Sequence, residues 1–174
     1  MRGNTNLGDM NQVSDGLMGV SVVLPILNEE RDLRESVSAI LAQNFSAPFE
    51  VILALGPSTD RTTQIAKEIA AGDSRVVLVD NPTGRTANGL NAAIASAKYS
   101  IISRIDGHAE ISPTYLRDAT ELLNKTGAVN VGGIMAAVGK SKFEKAVATA
   151  MRSPLGVGSS RFHTGGSAGP ADTV

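Results

Sequence analysis

Three short stretches of the chain place acids, amides and an imidazole at spacings that could hold a charged ligand. Arg104-Ile105-Asp106-Gly107-His108 closes an apolar run, with Asp106 and His108 two positions apart. On an extended segment leaving a strand, residues so spaced point to the same side. Both could therefore reach one cation, with Gly107 giving room for a ligand to approach. Asp106 supplies a hard oxygen and neutral His108 a nitrogen, a mixture that suits Mn²⁺ and tolerates Mg²⁺. The same triplet also reads as an ordinary turn. Asn28-Glu29-Glu30 follows another apolar run. It reads either as a helix N-terminus that favours acids, or as a loop whose amide and carboxylate grip the hydroxyls and ring edges of a nucleoside. In the third stretch, Asp80 to Asn91, small residues let a helix N-terminus approach a ligand closely. Arg85 there either supplies charge to a phosphate or is a solvated surface arginine.

The elements that must position these residues alternate regularly. Val20–Leu27 reads as a near-continuous apolar strand, followed by a helix over Glu29–Gln43 with Leu33, Val37, Ile40 and Leu41 on one face. Phe49–Leu55 is a second strand; Ser58 or Thr59 could cap the next helix, whose stripe holds Ile65 and Ile69. A strand over Arg75–Val79 precedes a helix over Gly84–Ala97 with Leu90, Ile94 and Ala97 in phase. Tyr99–Ile105 is a fourth strand, and a helix opened by Pro113 carries Leu116, Leu122 and Leu123. Ala128–Val138 is expected as a fifth strand broken at Gly132-Gly133, with a further helix near Lys142–Met151. Fully apolar strands alternating with helices predict an α/β fold, a mostly parallel sheet covered on both faces. Ligands of such sheets bind beyond the carboxyl ends of the strands, where all three stretches fall. Residues 1–19, polar and rich in Gly and Asn, are expected to form a flexible arm outside a domain spanning 20–174.

Composition excludes several classes. The 174 residues carry 16 Lys+Arg against 17 Asp+Glu, a formal net charge of -1, so the broad positive field of a nonspecific nucleic-acid binder is missing. Aromatics at 3% with no Trp argue against base-stacking single-strand binding. No Cys means no disulfide scaffold, zinc thiolate or cysteine nucleophile. No run reaches the length of a membrane span and Met1–Met18 lacks the order of a secretory signal, so the expected location is cytoplasmic. Gly84 to Gly89 has phosphate-loop spacing, but Leu90-Asn91 replaces the required Lys-Ser/Thr. Gly165-Gly166-Ser167-Ala168-Gly169 matches GxSxG, yet no apolar strand precedes it and both histidines, His108 and His163, lie upstream. Gly156-Val157-Gly158 lacks the third glycine of a dinucleotide fingerprint.

Taken in order, the motifs resemble a known family. Val20-Ser21-Val22-Val23-Leu24-Pro25-Ile26-Leu27-Asn28-Glu29-Glu30 resembles the opening strand and loop of the family-2 glycosyltransferases of GT-A fold. Ser58-Thr59-Asp60-Arg61-Thr62 is similar to the tail of that family's Asp-Asp-Gly-Ser-Thr-Asp-Gly-Thr signature, and Gly84–Asn91 to its GxxxAxNxG segment. Asp106-Gly107-His108, five residues before Pro113, stands where the family keeps its DxD. The subgroup it most resembles is the bacterial succinoglycan-biosynthesis-like enzymes, in which Asp-x-His replaces DxD.

The resemblance implies a Rossmann-like nucleotide-sugar-binding domain that transfers a sugar from a nucleoside diphosphate donor to an acceptor hydroxyl, with inversion, in polysaccharide or glycolipid synthesis. It implies that Pro25, Asn28 and Glu30 line the nucleoside pocket, Arg85 sits near the donor, and Asp106 faces the ribose and cation. His108 would take the metal-ligand place, for Mn²⁺ or Mg²⁺. The implied partners are the nucleotide sugar and a saccharide or lipid-linked acceptor, with peripheral contact at the inner face of the membrane and no nucleic acid. Two departures stand out. Leu55-Gly56, with Pro57 after them, replace the acids that precede Gly-Ser in the second motif, so the usual uracil-reading carboxylate is missing. The later acidic motif with its general base has no counterpart before Val174, so a truncated C-terminal part is expected, with the base beyond it. A catalytically silent nucleotide-sugar-binding fragment is the alternative. A nucleotidyltransferase would want a glycine-rich basic loop after the first strand, where acids stand instead.

Overall fold

The computed structural model describes residues 19–133, 141–153 and 169. The chain divides into two compact units, Met1–Asp118 and Ala119–Val174. The first holds β1 (Val20–Ile26), α1 (Leu33–Leu41), β2 (Phe49–Leu55), α2 (Thr62–Gly72), β3 (Val76–Asp80), α3 (Thr86–Ala95) and β4 (Ile101–Arg104). The helix α4 (Tyr115–Thr126) runs across the division, and α5 (Lys142–Arg152) belongs to the second unit.

The four strands form one sheet in the order β3-β2-β1-β4, and every neighbouring pair is parallel. Their runs are mostly apolar because both faces are covered, Ser21 of β1 and Glu50 of β2 being buried polar exceptions. Val22, Leu24 and Ile26 of β1 point to one side, where Leu33, Val37 and Ile40 of α1 and Ile65 and Ala66 of α2 meet them. Val23, Ile52 and Ala54 point to the other, against Ala93 and Leu90 of α3. The chain thus adds β2 and β3 outward from β1, then crosses the opposite face to place β4 on β1's free side. Chain direction across the sheet reverses between β1 and β4, where open α/β sheets leave a crevice for ligands.

A proline in an inner strand would normally leave a gap in the ladder. Pro25 avoids this: the Val23 carbonyl accepts the Ile105 N–H on the β4 side, and Pro25, two residues on, faces that side after β4 has ended at Arg104. At the opposite end of the sheet, the buried Glu50 carboxylate accepts from Ser21 Oγ at 2.7 Å and the Lys98 N–H at 2.6 Å. The Tyr99 N–H donates to the same Ser21 Oγ, so the approach to β4 is tied to β1 and β2.

Several expectations are corrected. The first helix begins at Leu33 rather than Glu29, because residues 30–32 form a turn in which the Glu29 carbonyl accepts from the N–H groups of Asp32 and Leu33. Neither Ser58 nor Thr59 caps α2; Asp60 Oδ1 accepts the Thr62 N–H instead. Ile94 is 46% exposed, because α3 lies close to the sheet through the small residues Gly89 and Ala93. The described part of the expected fifth strand, residues 128–133, is not strand, and 134–138 lie outside the described residues. The expected N-terminal arm lies outside them too, apart from Gly19. Among the described residues no helix is long and apolar enough to cross a membrane.

Candidate functional site

The carboxyl edge of the sheet carries all the sequence-derived site residues, and the loop after β1 organises it. Asn28 has φ of 57°, the one positive value among described non-glycine residues. Asparagine tolerates that left-handed conformation better than most residues. The twist turns the chain out of β1 toward the loop after β2. The Asn28 N–H donates to Ser58 Oγ at 3.1 Å, and its Oδ1 accepts from the Thr59 N–H at 2.8 Å. Glu30 continues the clasp: its N–H donates to Asp60 Oδ2 at 3.2 Å and its Oε2 accepts the Arg61 N–H at 3.0 Å. Hydrogen bonding from Thr62, side chain foremost, holds the Asp60 carboxyl below its usual range.

Asn28 and Glu30 therefore hold loop against loop, and their exposed side chains lie beside Pro25 in sequence at the end of β1. Pro25 is half-buried; a Cβ added at Gly89 would lie 3.1 Å from its own Cβ. Buried Asn81 shapes the next loop. Its Nδ2 donates to the Arg85 carbonyl at 3.2 Å and its Oδ1 accepts from Thr83 Oγ1 at 3.0 Å. That arrangement delivers Arg85 to the N-terminus of α3 with an extended backbone. Its side chain is exposed and, among the described residues, its guanidinium has no hydrogen-bond or ion-pair partner.

After β4 the chain turns at once, the Ala109 N–H closing on the Asp106 carbonyl at 3.0 Å. Asp106 and His108 are turn residues, not alternate positions of an extended segment. Nor does Gly107 leave room for a ligand. A Cβ there would lie 3.1 Å from Ile26 Cγ2 and 3.2 Å from Glu29 Cγ, so the glycine lets the β4 loop rest directly on the β1 loop. The far end of this loop is held by buried Gln43, whose Nε2 donates to the Ser112 carbonyl at 2.7 Å and whose Oε1 accepts the Leu116 N–H at 3.1 Å.

The site pairs its charges. Arg104 Nε and Nη2 both donate to Asp106 Oδ1, at 3.2 and 3.1 Å, leaving Oδ2 without a partner among the described residues. His108 Nδ1 lies 3.0 Å from Glu29 Oε1. The imidazole is held above its usual range, first by that hydrogen bond, against some burial, then by the charges of Glu29, Asp106 and Asp32. Both side chains remain accessible, Asp106 at 48% and His108 at 63%. Sequence reasoning passed over Glu29 and Asn81. Glu29 sits inside a triplet already singled out, but its partner is 79 residues away and no spacing rule links them.

The donor types of Asp106 and His108 suit a divalent cation. One carboxylate oxygen of Asp106 and Nε2 of His108 are uncommitted, a hard oxygen and a nitrogen of the kind Mn²⁺ accepts. Among the described residues no three His, Cys, Asp or Glu side chains converge on one point. A cation here would take two protein ligands and complete its shell from substrate and water. Beyond β2 and β3 lies an open cavity of about 330 Å³ lined by Leu55, Gly56, Pro57, Lys67, Asp80 and Pro82, among others. Leu55, at the place of a missing acid, pairs in register with Asp80.

A parallel sheet with the loops after β1 and β4 gathered at the strand-order reversal defines an open α/β domain with a crevice at its carboxyl edge, and comparison with known proteins identifies its family. Residues 21–169 match the model of Glycosyl transferase family 2, and the chain belongs to that family. It is 35% identical over 156 residues to the succinoglycan biosynthesis protein ExoA of Rhizobium meliloti (strain 1021), a match covering 87% of this chain and 47% of that protein. It is 29% identical over 106 residues to the chondroitin synthase of Pasteurella multocida (strain Pm70), covering 61% of this chain and 10% of that one. The chain thus spans less than half the length of these relatives. Among solved structures, S. aureus TarS 1-349 in complex with UDP aligns with a TM-score of 0.57 at 24% identity, over 71% of this chain and 40% of that 1-349 chain. That likeness shows the shared GT-A fold.

Proposed function

We propose that the chain binds a nucleoside diphosphate sugar at the carboxyl edge of its sheet and serves transfer of that sugar to an acceptor hydroxyl, with inversion, in polysaccharide or glycolipid synthesis. The observation that carries this reading is the meeting of the Asn28–Glu30 and Asp106–His108 loops at the β1–β4 reversal, sealed by the Glu29–His108 contact. Family membership and the polysaccharide role in the name of the Rhizobium relative support it.

In this reading Pro25, Asn28 and Glu30 border the nucleoside, pre-shaped by the clasp to the β2–α2 loop. Arg85, unpaired among the described residues, offers its guanidinium to the diphosphate. Asp106 and His108 hold the cation, Asp106 kept in place by Arg104 and His108 by Glu29. A bound Mn²⁺ or Mg²⁺ would supply Lewis-acid neutralisation of the diphosphate leaving group. Inversion asks a carboxylate to take the acceptor proton; none of the donor-site acids named here is assigned that task. The acceptor is a saccharide or lipid-linked hydroxyl.

Calorimetry with nucleoside diphosphates tests the reading, starting with UDP because TarS was solved with UDP and with UDP-GlcNAc. We expect Mn²⁺-dependent binding that Asp106→Ala abolishes and His108→Ala weakens. Binding that ignores EDTA and both substitutions defeats the assignment.

A further inference from the structure

We infer that Glu29 is a positioning residue of the cation site, its carboxylate accepting the His108 Nδ1–H and so fixing the tautomer and orientation that leave Nε2 free to bind metal. This inference rests on the cation reading proposed above. A carboxylate can only accept, so the 3.0 Å contact requires the proton on Nδ1. Glu29 is built for the task. Its side chain is four-fifths buried, at 20% exposure, while the ring it holds is 63% exposed. Its backbone is fixed at both ends: the N–H donates to Thr62 Oγ1 at 2.7 Å and the carbonyl accepts from Asp32 and Leu33. Gly107 rests against Glu29 Cγ and Cδ where any side chain would crowd them, so the turn carrying His108 is seated on the very carboxylate that orients it. Glu29 Oε1 is engaged by His108 Nδ1 at 3.0 Å, which places Glu29 behind the imidazole, on the side away from Nε2. Carboxylates in that position raise ligand basicity and lock ring orientation, and losing one costs about 10–100-fold in metal affinity.

The test measures Mn²⁺ affinity in the presence of UDP by electron paramagnetic resonance, alongside ¹⁵N NMR of the His108 ring in the metal-free chain. Glu29→Ala should weaken Mn²⁺ binding about tenfold or more and move the ring away from the Nδ1–H tautomer. Glu29→Gln, whose amide oxygen can still accept, should keep that tautomer and restore most of the affinity. In a His108→Ala background, Glu29→Ala should add nothing. Wild-type Mn²⁺ affinity in Glu29→Ala overturns the inference alone, as does an equal loss with and without His108, which would make Glu29 a ligand or a folding residue. Absence of Mn²⁺ binding by the unaltered chain overturns the cation reading and this inference with it, while the NMR signature still reports whether Glu29 sets the tautomer.

Discussion

Replacing Gly89 by alanine pits helix propensity against packing at the loop that presents Arg85. Alanine in a helix interior is favoured over glycine by about 1 kcal/mol. At position 89, however, the added Cβ would stand 2.7 Å from Asn81 Nδ2 and 3.1 Å from Pro25 Cβ. Asn81 is 3% exposed and has nowhere to retreat. Moving it breaks its bonds to the Arg85 carbonyl and Thr83 Oγ1, each worth about 1 kcal/mol net. Crowding Pro25 adds an overpacking cost of about 1 kcal/mol or more. The balance is a loss of about 2 kcal/mol, or about 4–8 °C in Tm for a chain of this size. Gly72→Ala is the control. At the last residue of α2, an added Cβ meets nothing within 4 Å, so that change should stabilise by up to about 1 kcal/mol. Urea and thermal unfolding of the two variants read both signs. A Gly89→Ala chain as stable as the parent would refute the claim that α3 is pressed against Asn81 and Pro25.

Gln43→Ala removes the bonds to the Ser112 carbonyl and Leu116 N–H and should cost about 1–3 kcal/mol in urea unfolding, whereas Gln43→Glu, which sets a buried carboxylate oxygen against the Ser112 and Ala39 carbonyls, should cost at least as much. Asp60 gives a pH signature. Its folded pKa is depressed, so its contribution is present above the unfolded value and lost as pH falls through the folded one. The stability gap between the parent and Asp60→Asn should therefore close under acid, and a gap constant with pH would count against the clasp. Asn28→Ala loses the acceptor for the Thr59 N–H and forces a Cβ-branch-free but non-glycine residue to hold φ of 57°; Asn28→Gly loses the acceptor alone and should be the milder of the two in Tm.

What was legible in the sequence, and what was not, follows from how far each interaction reaches. Strands buried on both faces are near-continuously apolar, so Val20–Ile26 and Phe49–Leu55, each with a single polar residue, announced a covered parallel sheet, and with it the edge where such sheets take ligands. Boundaries failed where a tertiary bond overrode local preference. The acids after Asn28 suit a helix N-terminus, but the left-handed Asn28 is committed to Thr59, and the helix waits until Leu33. The fifth strand was inferred from apolarity alone; Val129 in that run is fully exposed, and two adjacent glycines weaken any strand. Asp106 and His108 were found as residue types at a strand end, but their partners were not. Arg104 is two residues from Asp106 and could have been suspected; Glu29 is reached only through the folded β1–β4 pairing.

The four-residue β4 borders the sheet among the described residues and joins only β1, yet it delivers one side of the crevice at the β1–β4 reversal. During synthesis β1, β2, β3 and the three helices that cover them are complete before residue 101 emerges, so the last of these four strands to dock is the one that completes the crevice at the β1–β4 reversal. Contacts closing so long a loop form late. In the mature protein the same strand has the fewest neighbours to release, so its amide protons should exchange ahead of those in β1 and β2. In the function proposed above, capture and release of the donor would then follow one short segment loosening while the remainder of the sheet stays shut.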